Sequence, residues 1–117
     1  MPLLFDMPLD QLKKYEGRNP KPKDFDAFWD KSLAEMRKIN PKVELKPADF
    51  QTPFAECFEM FFTGVGGARV HARLLRPRQK TVKKHPAVLM FHGYSGNAGD
   101  WLDKLGYPAQ GYTVAAL

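Results

Sequence analysis

Two apolar runs separated by a glycine-rich loop most limit what this chain can fold into. Residues 86–91 (PAVLMF) and 112–117 (YTVAAL) are continuous apolar segments, as expected for strands that are buried on both faces. Between them lie a glycine-rich loop, residues 92–99, and a segment in which Asp100 can cap a short helix that ends near Ala109. This order of segments predicts a βαβ unit, whose two strands are parallel.

Upstream of this unit, the chain predicts one helix and one antiparallel hairpin. Asp24 suits an N-cap, and the apolar residues after it recur at helical spacing until Asn40. Residues 54–75 read as two strands around the turn GVGG at 64–67, and residues 43–46 as a weaker strand. We expect the apolar stripe of the helix to pack on a core; it consists of Phe25, Phe28, Trp29, Leu33 and Met36.

The fold class is therefore α/β, with an N-terminal helix, a hairpin and then the start of a parallel βαβ sheet. A buried parallel strand needs strands on both edges and helices on both faces, and the sequence supplies few of them. We predict that residues 1–117 are one incomplete domain, the amino-terminal part of a larger α/β domain. Residues 1–23 are predicted as an extended lead-in with Leu and Phe anchors.

Several classes of site and location are disfavoured by the residue inventory. The single cysteine, Cys57, excludes an intramolecular disulfide and a cysteine-only zinc site, and the three histidines lack H-x-x-x-H spacing. No run approaches the roughly 18 apolar residues of a membrane span, and the start, MPLLFD, has no basic n-region. We predict no metal, no cofactor and no membrane partner, and the single cysteine fits a reducing compartment.

The net charge of +5 is concentrated in the second half of the chain, where residues 60–117 carry a net +6. Seven basic residues lie between Arg69 and Lys84, which could form a patch for nucleic acid. However, residues 69–74 alternate polar and apolar side chains as a half-buried strand does, and residues 77–84 contain no aromatic side chain for base stacking. We therefore predict no nucleic-acid partner.

The glycine-rich loop suits an oxyanion hole, since it follows a strand that ends in His-Gly-Tyr. Ester hydrolysis places negative charge on the carbonyl oxygen, and backbone N–H groups near glycines can approach it closely. The Tyr94 amide is the candidate donor, and Tyr94 and Gly93 are the candidate substrate contacts. His92 could act as acid or base, but we interpret it as a support of the loop through ring hydrogen bonds.

Ser95 is the candidate nucleophile that the sequence itself suggests. Residues 93–97 (GYSGN) miss the elbow pattern G-x-S-x-G at the last position, and loop residues intervene before a helix can begin. We interpret Ser95 as a loop-supporting hydroxyl. A minimal esterase that uses Ser95 and His92 is the alternative.

Four ordered segments resemble the acetyl xylan esterase / cephalosporin-C deacetylase family, which is carbohydrate esterase family 7. They are residues 2–9 (PLLFDMPL), 22–29 (PKDFDAFW), 63–67 (TGVGG) and 91–101 (FHGYSGNAGDW), and they extend over nearly the whole chain. The resemblance implies an α/β-hydrolase fold and a serine esterase that deacetylates xylo-oligosaccharides and cephalosporins. It also implies a cytoplasmic homo-oligomer.

The same resemblance assigns the backbone amide of Tyr94 to one half of the oxyanion hole and to a substrate contact. It implies that the family's Gly-x-Ser-Gln-Gly elbow and its catalytic Asp and His lie downstream of Leu117. We therefore expect the chain to be inactive alone, because no base here can take a proton from an elbow serine. A non-catalytic module that self-associates through its helix, hairpin and exposed strand edges is the alternative.

Overall fold

The computed structural model describes residues 6–78 and 84–117, which include three helices and five strands. The chain divides into two compact units, Met1–Leu33 and Ala34–Leu117. The helices are α1 (Leu9–Leu12), α2 (Phe25–Lys38) and α3 (Gly106–Ala109). The strands are β1 (Glu44–Pro47), β2 (Ala55–Thr63), β3 (Arg69–Pro77), β4 (Ala87–Met90) and β5 (Thr113–Ala116).

The lead-in contains one short helix, so the prediction of a wholly extended segment is wrong at α1. Its backbone closes because the amides of Gln11 and Leu12 both donate to the Pro8 carbonyl at 2.9 Å. Leu9 and Leu12 are exposed. The other expected anchors of the lead-in, at positions 3–5, lie outside the described residues, as do positions 79–83 of the basic segment.

Helix α2 begins where the sequence predicts it. The Asp24 carbonyl accepts the first helical hydrogen bond, from the Phe28 amide at 2.8 Å, as an N-cap residue does. Every residue of its apolar stripe is exposed, and α2 has no buried residue. The packing of this stripe on a core stays a prediction.

The five strands form one sheet in the order β1-β2-β3-β5-β4. The predicted hairpin is confirmed: β2 and β3 pair antiparallel with Phe61 opposite His71, and Gly66 and Gly67 close the turn with φ angles of 69° and 78°. Strand β1 adds to this hairpin as an edge strand, where Pro47 costs no interior ladder bond.

The predicted βαβ unit is also confirmed, because β4 and β5 are parallel, with Val88 opposite Val114. The connection between them differs from the single helix predicted at residues 100–109. It is a 3₁₀ turn at Leu102–Lys104 followed by α3. Pro108 explains the break, since it has no N–H to donate to the Lys104 carbonyl in a continuous helix.

The core lies on one face of the sheet, where Cys57, Leu75 and Val114 are fully buried with Trp101 beside them. The prediction that β4 is buried on both faces is wrong for this chain. Leu89 is 64% exposed and Phe91 is 74% exposed, because β4 is an edge strand and no described residue covers that face.

Candidate functional site

The glycine loop, residues 92–99, follows β4 at the carboxyl end of the parallel strand pair. The Leu117 amide donates to the Met90 carbonyl at 3.1 Å, so the pairing of β4 continues beyond β5 to Leu117. Loops at the carboxyl ends of parallel strands are where α/β proteins place their binding groups. The loop therefore begins two residues after the last paired residue of β4, on the side expected for a functional site.

A tight turn forms the centre of the loop. The Gly96 amide donates to the Gly93 carbonyl at 3.0 Å, and Ser95 has a φ angle of 61°. A positive φ at the third position only is the pattern of a type II turn. Gly96 fits closely against His92, since an added Cβ would lie 2.8 Å from the His92 Cβ.

Tyr94 occupies the second position of this turn. In the described part of the chain its backbone N–H donates no hydrogen bond, and its side chain is fully exposed. Apart from its two chain neighbours, a Cβ added to Gly93 would meet no atom within 4 Å, so the space beside Gly93 is open. The turn therefore presents a free backbone donor in a defined direction.

The His92 ring bonds within the loop. Its Nδ1 lies 2.7 Å from the Gly93 carbonyl oxygen, and because that oxygen can only accept, Nδ1 carries the proton. Among residues 6–78 and 84–117, no hydrogen bond joins the Ser95 hydroxyl to this ring. The pairing that a Ser95–His92 esterase requires is thus missing from the described geometry.

Two cations at the end of the loop were not identified from the sequence. Arg73 of β3 donates from Nη1 to the Gly99 carbonyl, and Lys104 donates from Nζ to the Asp100 carbonyl at 2.7 Å. The Lys104 ammonium also lies 2.6 Å from Asp103 Oδ1. The spacing of Lys104 could have indicated its burial, because it lies three residues after Trp101 and therefore on the inner face of the predicted helix.

No cluster of three or more His, Cys, Asp or Glu side chains that could hold a metal ion occurs within the described ranges. Across the same residues, no helix has both the length and the apolar character needed to cross a membrane. The chemical groups at the site include a free amide, the His92 ring, the Ser95 hydroxyl, the Asn97 amide, the Asp103 carboxylate and two cations.

Two of the solved structures that are similar to this chain are acetyl xylan esterases. Acetyl xylan esterase 1 from Thermoanaerobacterium sp. JW/SL YS485 superposes with a TM-score of 0.89 and 55% identity, covering 96% of this chain and 35% of that chain. An acetyl xylan esterase from Paenibacillus sp. R4 superposes with a TM-score of 0.76 and 24% identity, covering 94% of this chain and 36% of that chain. The second comparison supports the fold alone.

The chain thus spans about a third of the length of these two proteins, with 35% and 36% of each covered. A family model described as acetyl xylan esterase (AXE1) matches residues 1–117, which is the whole chain. This match agrees with the mixed α/β fold of the chain and with the order of its helices and strands. The chain belongs to the acetyl xylan esterase (AXE1) family.

Proposed function

We propose that this chain is the amino-terminal part of an α/β-hydrolase fold in a serine esterase that deacetylates xylo-oligosaccharides and cephalosporins. The family match and the parallel β4–β5 pair support this proposal. The observation that carries it is the free Tyr94 amide, presented by a tight turn at the carboxyl end of β4.

In this proposal Tyr94 supplies one donor of the oxyanion hole. When a serine oxygen attacks the acetyl carbon, the carbonyl oxygen becomes an oxyanion, and the Tyr94 N–H donates to it. A donor that is already oriented stabilises this charge without reorganisation at the moment of reaction. The nucleophile elbow and the catalytic Asp and His are supplied by residues outside this chain.

The neighbouring loop residues support that donor. His92 donates from Nδ1 to the Gly93 carbonyl, which restrains the peptide before Tyr94. Gly93 leaves the space beside it open, so Gly93 and the Tyr94 side chain contact the substrate. In this proposal the Ser95 hydroxyl supports the loop, while its backbone takes the positive φ angle of the turn, and Ser95 is not the nucleophile. We further propose that the enzyme is a cytoplasmic homo-oligomer without a cofactor.

The test uses a hybrid esterase, in which this chain replaces the matched segment of the Thermoanaerobacterium enzyme. The identity of 55% and the TM-score of 0.89 support such an exchange. Tyr94→Pro removes the N–H donor together with the phenol and is compatible with the turn, since proline is favoured at the second position of a type II turn. We expect kcat for 4-nitrophenyl acetate to fall about 10²–10³-fold, as for loss of one oxyanion donor.

Tyr94→Ala is the matched control, because it removes the phenol and keeps the amide. We expect its kcat to stay within about threefold of the parent hybrid, with any larger change in KM. A folded Tyr94→Pro hybrid with unchanged kcat would contradict the role of the amide.

A second candidate is a non-catalytic module that self-associates. The exposed apolar stripe of α2 favours it, and so do the two open sheet edges, β1 and β4. Light scattering of the purified chain from 10 to 500 µM tests it. A defined oligomer with a cooperative thermal transition supports this candidate, and a monomer at every concentration contradicts it.

A further inference from the structure

Lys104 is a buried charge that the proposed chemistry does not use. It is 2% exposed and is the largest fully buried side chain of the described residues. A buried ammonium is strongly destabilising unless it is paired and hydrogen-bonded. Its two partners, the Asp100 carbonyl at 2.7 Å and Asp103 Oδ1 at 2.6 Å, meet that requirement. Lys104 is therefore bound to the backbone immediately after the glycine loop.

The fit between Lys104 and the end of the loop is tight. A Cβ added to Gly99 would lie 3.0 Å from Lys104 Nζ and 3.1 Å from Asp103 Oδ2. Gly99 also has a φ angle of 69°, which an L side chain rarely adopts. The backbone of Gly99 therefore lies directly against the ion pair, and only glycine fits there without displacement.

Arg73 binds the same part of the chain from β3. Its guanidinium donates to the Gly99 carbonyl and lies 4.8 Å from the centre of the Trp101 ring. Trp101 in turn stacks on Phe50, with ring centres 6.1 Å apart and planes within 11°. A cation thus binds each of two successive carbonyls: Arg73 binds that of Gly99, and Lys104 binds that of Asp100. Both carbonyls directly precede the packed Trp101 in the sequence.

The two ends of the glycine loop are fixed by different means. The first end continues from β4, whereas the second depends on Arg73 and Lys104. Lys104 and His92 also line one cavity of about 110 Å³. Between these ends, the hydrogen bonds that hold the turn carrying the Tyr94 amide all lie within the loop, among the residues that the structure describes.

We propose that Lys104 and Arg73 are positioning residues for the oxyanion donor of Tyr94. Neither touches the substrate in this proposal, which rests on the proposed function of the glycine loop. They fix the Gly99 and Asp100 carbonyls at the second end of the glycine loop. Because the loop is also fixed at its first end, this restraint limits how far the Tyr94 N–H can move. A misplacement of about 1 Å in such a group can cost up to about 10²-fold in rate.

The test compares Lys104→Met, Lys104→Arg and Arg73→Met in the hybrid esterase, with Lys31→Met on exposed α2 as the control. We expect Lys104→Met and Arg73→Met to lower kcat about ten- to a hundredfold, with KM within about threefold of the parent. Lys104→Arg keeps a charged donor and regains part of the loss. Lys31→Met behaves as the parent.

A transition-state probe separates positioning from a general structural role. Phenylboronic acid accepts the serine oxygen at boron, and the tetrahedral adduct places an oxygen in the oxyanion hole. Its affinity should fall in proportion to kcat in both Met variants, because both quantities depend on the same donor. A merely structural role would lower the amount of folded enzyme and leave both values per active site unchanged.

The outcomes are distinguishable. A folded Lys104→Met with the parent's kcat overturns the proposal, and so does a fall in kcat without a fall in boronic acid affinity. If Lys104→Met does not fold, Arg73→Met decides by the same two criteria, since its side chain is only half-buried. A folded but inactive parent hybrid contradicts the proposed function and this inference with it. With an active parent hybrid, the variants test the positioning role separately from the proposed function.

Discussion

Ser95 has the left-handed backbone that its place in the turn requires. Its φ angle of 61° is unfavourable for a residue with a Cβ, by roughly 1–2 kcal/mol for an L residue in that region. Ser95→Gly removes this strain, so we expect the free energy of unfolding to rise by up to about 1 kcal/mol. Urea denaturation of the chain, compared with Ser95→Ala, measures it.

The same pair of variants tests the chemistry of Ser95. Both should leave kcat of the hybrid esterase within about threefold of the parent, because the hydroxyl is not the nucleophile in our account. Loss of turnover in both variants with the fold retained would support the alternative hypothesis of a minimal esterase that uses Ser95 and His92.

The buried thiol of Cys57 makes the stability of the fold depend on pH. Burial raises the pKa of the Cys57 thiol above its ordinary value of 9.0, and the charge of Arg78 lowers it in part. Since the unfolded thiol ionises first, this contribution to stability is complete below pH 9 and is lost as pH rises through the folded pKa. We expect stability above pH 9 to fall more steeply in the wild-type chain than in Cys57→Ala.

Urea denaturation from pH 7 to 10.5 checks the expected difference in slope. One thiol can add at most about 1.4 kcal/mol per pH unit to the slope. Parallel curves for the two proteins would show that the Cys57 thiol titrates alike in the folded and unfolded chains.

For individual residues, the sequence indicates an exposed backbone donor better than it indicates a buried charged side chain. Tyr94 was identified because glycines flank it and a strand precedes it, which is local information. Lys104 was missed because its burial depends on the Asp100 carbonyl, on Asp103 and on the fit of Gly99. Only its spacing from Trp101 and Leu105 placed a charge on an apolar face.

Among the elements, the β2–β3 hairpin depends on its glycines at defined positions. Gly67 has a φ angle of 78°, whereas Gly106, in α3, has open space at its Cβ position and no positive φ. Gly67→Ala should therefore lower the free energy of unfolding by about 1 kcal/mol. Gly106→Ala is the matched control and should raise it by up to about 1 kcal/mol.

Thermal or urea unfolding of the two variants beside the parent measures both changes. Equal effects in the two variants would mean that glycine acts only through the entropy of the unfolded chain. The turn geometry would then contribute nothing specific to the hairpin.

The hairpin and the parallel strand pair were predictable because their signals are local. Alternation, a glycine turn and two apolar runs identify them without reference to the rest of the fold. The segment predicted as one helix at residues 100–109 divides into a 3₁₀ turn and α3, because Pro108 cannot donate the hydrogen bond that a continuous helix requires at its position. A missing N–H at one position outweighs helical periodicity over a segment this short.

For the molecule as a whole, the uncovered apolar surface was the least predictable feature. The stripe of α2 and the outer side of β4, with Leu89 and Phe91, read as core residues but are exposed. An apolar pattern states that a face prefers to be buried and does not state what buries it. The similar solved proteins are nearly three times as long, since this chain covers 35% and 36% of them.

The measurement that tests our account most directly is 4-nitrophenyl acetate turnover by the purified 117-residue chain, assayed beside the hybrid esterase and its Tyr94→Pro variant. We expect no turnover by the chain above buffer, turnover by the hybrid, and about 10²–10³-fold lower kcat after Tyr94→Pro. Turnover by the chain alone that disappears in Ser95→Ala, or a folded hybrid that is indifferent to Tyr94→Pro, would contradict the account.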